Sequence, residues 1–524
     1  MALGAMVVQQ RFENPREILG DRLREGSIYR LLADHGDRLF GDDYFADLYV
    51  VSSRGRPTVP ARVLATVMLL QAHEGLSDRE AVDRLEVDLR WQAAAGVDTG
   101  AVAFHSTVLV GQRNRLRASV RPRRLFEDVK VVAREAGAFK GRARVLDSTP
   151  LYDAVATQDT VTQLRAAIRK VLMVLDNVAA PLAARVRAVL ERDDDYASAG
   201  KPPCDWDDPA AREQLVDALV HDALAALAVL DGEPLGGAAR DAVDLLAIVA
   251  GQDVAEGDDG VFRIVRGVAR DRVISTVDPQ ARHGHKSRNR RFDGYKTHAS
   301  VDPDSELIDE VTVTPANTAD RDAVDDLLAP SAGDEDKPEV VGDCAYADGE
   351  TRDRLAQRGY EIRAKVPPTR NRGGRFPKDR FRVDVDEGTV TCPAGVTVTI
   401  TPARRGGGKA SFAAHCAACP LRKNCTTARR GRSISIHRHE ALLQAARAEQ
   451  ATPEWAQRYR ADRPIVERKI AHFARRIWGG RNARCRGLAR IATDIDTRAA
   501  AVNLARLAVL GVNFDNDRWR IATP

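Results

Sequence analysis

Hydrophobic spacing divides the chain into stretches of different period. Over residues 20–140 apolar positions recur at helical spacing, as in Ile28, Leu31, Leu32 and Leu39. Pro60 then opens Val63-Leu64-Ala65-Thr66-Val67-Met68-Leu69-Leu70, apolar nearly all round, which predicts a buried helix. Gly75 ends it, and Ser77-Asp78-Arg79-Glu80 has the reciprocal capping pattern that starts another helix. Helix, glycine turn and capped helix outline a helix-turn-helix, although any helical hairpin shares that outline.

Residues 143–153 predict a strand. Helical spacing returns over Thr160–Leu190, with Leu164, Ile168, Val171 and Leu175 on one face, then around Leu215–Leu227 and Ala238–Val249. The acids between them, Asp193-Asp194-Asp195 and Asp205-Trp206-Asp207-Asp208, read as a solvated loop and helix N-caps. From Asp278 the period becomes two. Phe292–Val301 alternates, Asp302-Pro303-Asp304-Ser305 is turn chemistry, and Leu307–Thr314 returns as a hairpin strand. A short helix over Asp320–Leu328, a strand over Val340–Asp343, a helix ending at Leu355–Tyr360 and a strand over Glu361–Val366 follow, so a mixed α/β sheet is expected. Residues 438–479 predict helix interrupted near Pro464, which fits a helix N-terminus and puts Ile470, Phe473 and Ile477 on the buried face. A last helix is expected over Thr497–Leu510.

The expected organisation is a helical N-terminal DNA-binding domain (1–140), the first core strand (141–155), a helical insertion (156–272), the core continued (273–368), a cysteine-rich β insertion (369–437) and closing helices (438–524). The acidic helical insertion is expected to be structural or dimerising.

Composition changes this picture little. Hydrophobic content of 44% and charged content of 30% are those of a globular protein. No apolar run reaches the roughly 18 residues of a membrane span. Met1–Arg11 lacks a charged leader followed by an apolar core, so cytoplasmic residence, close to the nucleoid, is the expectation. The net charge of +5 is weak, but basic residues cluster. One cluster is Arg113, Arg115, Arg117, Arg121, Arg123, Arg124, Lys130 and Arg134; another is Arg282, His283, His285, Lys286, Arg288, Arg290 and Arg291. Either could neutralise phosphates without reading sequence; for the first, a solvated helix face is the alternative.

Seven cysteines, four of them clustered, suit a metal site better than a disulfide framework. Cys416 and Cys419 have C-x2-C spacing, and Cys392 and Cys425 can complete a tetrahedral zinc site, with His415 able to replace one thiolate. Such a closed site is structural, so the chemistry is expected elsewhere. Two apolar runs end in a carboxylate: Val340-Val341-Gly342-Asp343 and Val145-Leu146-Asp147. A third acid, Glu467, lies in the predicted helix after Pro464. Two strand-end aspartates and a helical glutamate can share two divalent cations, which clamp the attacking and leaving oxygens of a phosphoryl transfer. Taken singly, each acid could equally cap a turn or a helix start.

Several motifs together carry a family resemblance: Leu146-Asp147-Ser148-Thr149, Asp278-Pro279-Gln280-Ala281-Arg282, Gly294-Tyr295-Lys296-Thr297-His298, Thr314-Pro315-Ala316-Asn317-Thr318-Ala319-Asp320, Gly342-Asp343-Cys344-Ala345-Tyr346 and Cys419-Pro420-Leu421-Arg422. In this order the chain resembles bacterial insertion-sequence transposases of the DDE class, which have an RNase H-like catalytic domain. The resemblance implies an α/β RNase H-like core with a helical N-terminal domain, a helical insertion and a zinc-ribbon-like insertion. It implies that Asp147, Asp343 and Glu467 form the catalytic triad. Asp147 would bridge two Mg2+ (or Mn2+) ions, with Asp343 on one and Glu467 on the other. It also implies that Tyr459, Arg463 and Glu467 stand for a tyrosine-arginine-glutamate signature. Tyr459 lies one residue farther from Arg463 than is usual, and the downstream basic position falls to Arg475 or Arg476. Arg463, Tyr459, Lys296, Arg282 and His298 are the expected phosphate-positioning residues. The implied partner is double-stranded DNA, both terminal inverted repeats and target, bound by a homodimer or larger assembly. A catalytically inactive DNA-binding derivative and a metal-dependent nuclease without strand transfer are the rival readings.

Overall fold

The computed structural model describes residues 14–50, 57–100, 104–153, 155–287, 289–367, 369, 372–473 and 480–522. Ile477, Arg475, Arg476 and Arg288 lie outside the described residues.

The predicted buried helix forms over Ala61–Glu74, with nearly every side chain inside. Gly75 ends it in the left-handed region (φ 72°), where a glycine has no Cβ to clash. The capping box is complete: the Ser77 amide donates to Glu80 Oε2 (2.7 Å) and the Glu80 amide to Ser77 Oγ (3.2 Å). Helices over Thr107–Ala118 and Arg124–Glu135 complete the N-terminal layer.

The central sheet has six strands: β1 (Ala143–Tyr152), β2 (Arg282–Ser287), β3 (Arg290–Val301), β4 (Ile308–Pro315), β5 (Glu339–Gly342) and β6 (Ile362–Ala364). β1 lies between β3 (antiparallel) and β5 (parallel); β6 continues parallel beyond β5, and β2 and β4 pair antiparallel with β3. The sheet is therefore mixed, as expected. β3 can come close to β1 because Gly294 has φ 131°, and a side chain there would collide with the Leu151 carbonyl. The final long helix, Leu488–Val509, packs on β4 and on the N-terminal helices. One apolar core runs through Leu64, Trp91, Phe126, Val145, Ala299 and Leu504, so the N-terminal helices and the sheet are folded around the same interior.

The insertion differs. Its helices Thr160–Val178, Ala180–Arg187, Pro209–Leu230 and Gly237–Gln252 enclose a separate core around Ile168, Leu175, Leu219 and Leu246. Its acids are structural, as expected. Asp208 caps the Pro209–Leu230 helix, and Asp194 pairs with Arg165 at 2.7 Å. The cysteine-rich segment folds as a five-stranded antiparallel sheet between Arg382 and Ile436.

One helix departs from expectation. Instead of restarting at Pro464, a single helix runs over Pro453–Phe473 with Pro464 inside it. Proline there removes one backbone hydrogen bond, at a cost of about 3 kcal/mol. Burial of Trp455, Tyr459, Val466 and Ile470 on one face offsets it, since each fully buried large apolar side chain contributes roughly 1.5–3 kcal/mol.

Candidate active site at the β1–β5 junction

The strand register brings the two aspartates together. Val145 on β1 pairs with Val341 on β5. Asp147 and Asp343 each lie two residues further, so strand alternation puts both on one face at one level. Asp147 is within β1, not at its end; Asp343 follows β5 directly. The Pro453–Phe473 helix crosses β1 and β5 and supplies the counter-charge. Arg463 Nη2 is 3.0 Å from Asp147 and 3.9 Å from Glu467. The unbroken helix places Tyr459, Arg463 and Glu467 four residues apart on one stripe.

Burial pushes the Asp343 carboxyl above the ordinary aspartate range, and the charges of Asp147 and Asp320 add to the rise. The Ala345 amide, donating to Asp343 Oδ1 at 2.8 Å, and Arg463 oppose it. The centre therefore holds more negative charge than its one guanidinium balances. Asp320 was not among the expected site residues. It accepts from Ser148 Oγ (2.9 Å) and Lys296 Nζ (2.8 Å), which ties it to the residue after Asp147. It lacks the signal of the other two aspartates, since it lies five residues past the end of its strand at Pro315.

The remaining expected residues divide. Lys296 lies beside the acids but is held by Asp320 and the Thr318 carbonyl (2.7 Å). Tyr459 is buried, donates to the Gly342 carbonyl (3.2 Å) and so supports the Asp343 turn, with Arg463 beside it. His298 is a correction as a phosphate-positioning residue. It is wholly buried, with Nδ1 3.1 Å from the Tyr346 hydroxyl and Nε2 3.0 Å from Thr314 Oγ1. Burial lowers its pKa to about 4, so it is neutral at pH 7 and packs behind Asp343. Arg282 lines a neighbouring pocket and pairs with Asp271 at 2.8 Å. Glu467 is 63% exposed and, among the described residues, reaches only Arg463. Among the described residues, no three His, Cys, Asp or Glu side chains stand close enough to hold a metal.

Most of the N-terminal basic cluster is engaged within the fold. Arg124 pairs with Asp47 (2.5 Å), Lys130 with Glu310 (3.2 Å), Arg134 with Asp309 (3.4 Å), Arg123 with Asp496 (3.0 Å) and Arg113 with Asp78. Most of these acids come from distant parts of the chain, so the cluster reads as unopposed positive charge only in the local sequence.

In the cysteine-rich sheet, Cys392, Cys416, Cys419 and Cys425 line one pocket beside Phe381 and Phe412. All seven cysteines of the chain are free thiols. Burial raises the Cys425 thiol, and the other three thiols add to the shift.

Comparison with known families bears on this arrangement. Residues 17–115 match a Transposase domain (DUF772), and residues 391–508 match a Transposase DDE domain. Both matches are to transposases. Together they indicate an insertion-sequence transposase of the DDE class. The second match contains Arg463, Glu467 and the four cysteines, whereas Asp147 and Asp343 lie upstream of it. No curated protein and no solved structure matches the chain. No helix among the described residues is long and apolar enough to cross a membrane.

Proposed function

We propose that the chain cuts DNA at insertion-sequence ends and joins the freed strand to target DNA, using Asp147, Asp343 and Glu467 on an RNase H-like core. The observation that carries this reading is the shared level of Asp147 and Asp343 on neighbouring parallel strands, crossed by the helix that bears Arg463 and Glu467. A mixed sheet flanked by helices, with its acids at that junction, supports the RNase H-like core.

The donors fit a hard divalent cation, which takes carboxylate oxygens and keeps several waters. Burial, with Asp147 and Asp320 adding to it, holds the Asp343 carboxyl above its ordinary range, and a cation would favour its charged form. Asp147, Asp343 and Glu467 would hold two Mg2+ or Mn2+ ions, and Glu467, exposed on its helix, is the member with room to turn inward. When bound, the ions supply charge neutralisation and an activated water. Arg463 holds Asp147 in place and screens it from Asp343. Lys296 and Asp320 fix Ser148, whose amide donates to Asp147 Oδ1 at 2.8 Å. The protein thus contributes positioning and electrostatics, with no covalent enzyme intermediate. Joining two ends calls for a dimer or larger assembly. Cys392, Cys416, Cys419 and Cys425 offer the donor set of a structural zinc site.

The test is cleavage of labelled end DNA with Mg2+ or Mn2+. Asp147→Asn and Glu467→Gln are expected to lose cleavage while DNA binding persists. Losing several kcal/mol of transition-state stabilisation corresponds to about a thousandfold or more in rate. Full cleavage by either variant removes that residue from the proposed site.

A further inference from the structure

We propose that the pocket where the helical insertion rejoins the sheet binds backbone phosphates of DNA, so that the insertion takes part in gripping the substrate. This rests on the DNA-processing reading above. The pocket is a cavity of about 380 Å³ open to solvent. The returning segment of the insertion contributes Arg270 and Arg272, β2 contributes Arg282, His283 and His285, and β3 contributes Lys296. The turn after β4 closes it with the small residues Ala316–Ala319. Among the described residues, no carboxylate lines it.

The arrangement of charge points to an anion. Four of the bases are anchored by acids that do not line the cavity: Arg272 by Asp253 (2.5 Å), Arg282 by Asp271 (2.8 Å), His283 by Asp293 (2.7 Å) and Lys296 by Asp320 (2.8 Å). Arg282 gives Nε to Asp271 and Nη1 to the Pro279 and Ala281 carbonyls, which fixes its fork and leaves Nη2 for a ligand. Arg272, largely buried, gives Nε to Asp253 and Nη2 to Gln158 and Gln163 and leaves Nη1. Arg270 and His285 are exposed and make no ion pair among the described residues. Arginine and lysine donors with no carboxylate among the lining residues, and with exposed Asp271 at the rim bonded to Arg282 and Asn317, suit a phosphodiester, whose contacts position DNA without reading its sequence. Lys296 connects the pocket to the acidic centre, because its partner Asp320 also holds Ser148 beside Asp147. A strand whose phosphate occupies the pocket is thereby led toward the β1–β5 junction. The acidic character of the insertion as a whole hides this one basic edge.

The test uses the full chain and a labelled 20-base-pair duplex carrying an element end, with affinity measured across a salt series. The double variant Arg270→Ala/His285→Ala removes two exposed side chains, and circular dichroism verifies that its fold is kept. Its plot of log K against log salt is expected to be shallower by about 1, the share of the Arg270 charge, since each phosphate neutralised contributes about 0.9 to the slope. A control, Arg185→Ala/Arg187→Ala, removes two other cations of the insertion and is expected to leave the slope unchanged. An unchanged slope in the pocket variant overturns the proposal, as does an equal loss in the control. Loss of cleavage in Asp147→Asn alongside an unchanged slope in the pocket variant would sink the pocket and leave the proposed function standing. Failure of the wild-type chain to bind DNA at all would remove both.

Discussion

Two basic regions of this molecule look alike in the sequence and differ in the structure. Between Arg113 and Arg134 the cations face acids brought from Asp47, Asp309, Glu310 and Asp496, and they pin the N-terminal helices to β4 and to the Leu488–Val509 helix. Around Lys296 the cations also have acid partners, yet those partners leave an open wall free of carboxylates. Density of positive charge therefore does not locate a nucleic-acid surface. What matters is which side of each cation its acid occupies, and that depends on contacts between residues far apart in the chain.

The comparison can be broken most strongly at Lys130. Its ammonium and the Glu310 carboxylate are both buried. Lys130→Ala leaves a buried charge with one partner fewer and is expected to lower the unfolding free energy by about 3 kcal/mol. Denaturant unfolding checks this, and the salt dependence of DNA binding should stay as in the wild type. A normal unfolding midpoint with a reduced salt slope would make Lys130 a DNA contact and erase the distinction.

A smaller effect is expected in the pH dependence of stability. Burial raises the Asp496 carboxyl to about 6; Glu310 adds to the shift and Arg123 opposes it. The folded chain keeps this proton to a higher pH than the unfolded chain does. Stability from this group is thus greatest below the ordinary aspartate range, declines as pH rises toward about 6, and is flat above it. Asp496→Asn should flatten that part of the profile. An unaltered decline would show that another group produces it. The salt slope of Arg270→Ala/His285→Ala sharpens the same comparison from the pocket side and is the smallest of these effects.

Local chemistry was the legible part of the fold. The Ser77–Glu80 capping box, the all-round apolar helix after Pro60 and the β3–β4 hairpin are each set by residues close in sequence, and each forms where the pattern puts it. An apolar run ending in an acid marks the exit of β5 at Asp343, but at Asp147 it misses the exit, because β1 runs on to Tyr152. Pro464 misled, because a tertiary face of Trp455, Tyr459, Val466 and Ile470 outweighs a local helix breaker. His298 misled for a related reason. It shares a strand face with Lys296, but its ring is enclosed there by Tyr346 and Thr314, while the longer Lys296 side chain reaches Asp320. Asp320 was overlooked because its role comes from Lys296 and Ser148, neither of which is near it in sequence. Of the pocket's bases, Arg282, His283, His285 and Lys296 were legible in the sequence, whereas Arg270 and Arg272 join them only through the return of the insertion to the sheet.

The most direct measurement is target joining by pre-cleaved end DNA, whose free 3′-hydroxyl needs no prior cut, with Mg2+ and the wild-type chain beside Asp343→Asn. The expected result is a joined product from the wild type and none from Asp343→Asn, with both proteins retaining the DNA. Joining by Asp343→Asn at the wild-type rate would contradict the assignment of the β1–β5 junction as the site of strand transfer.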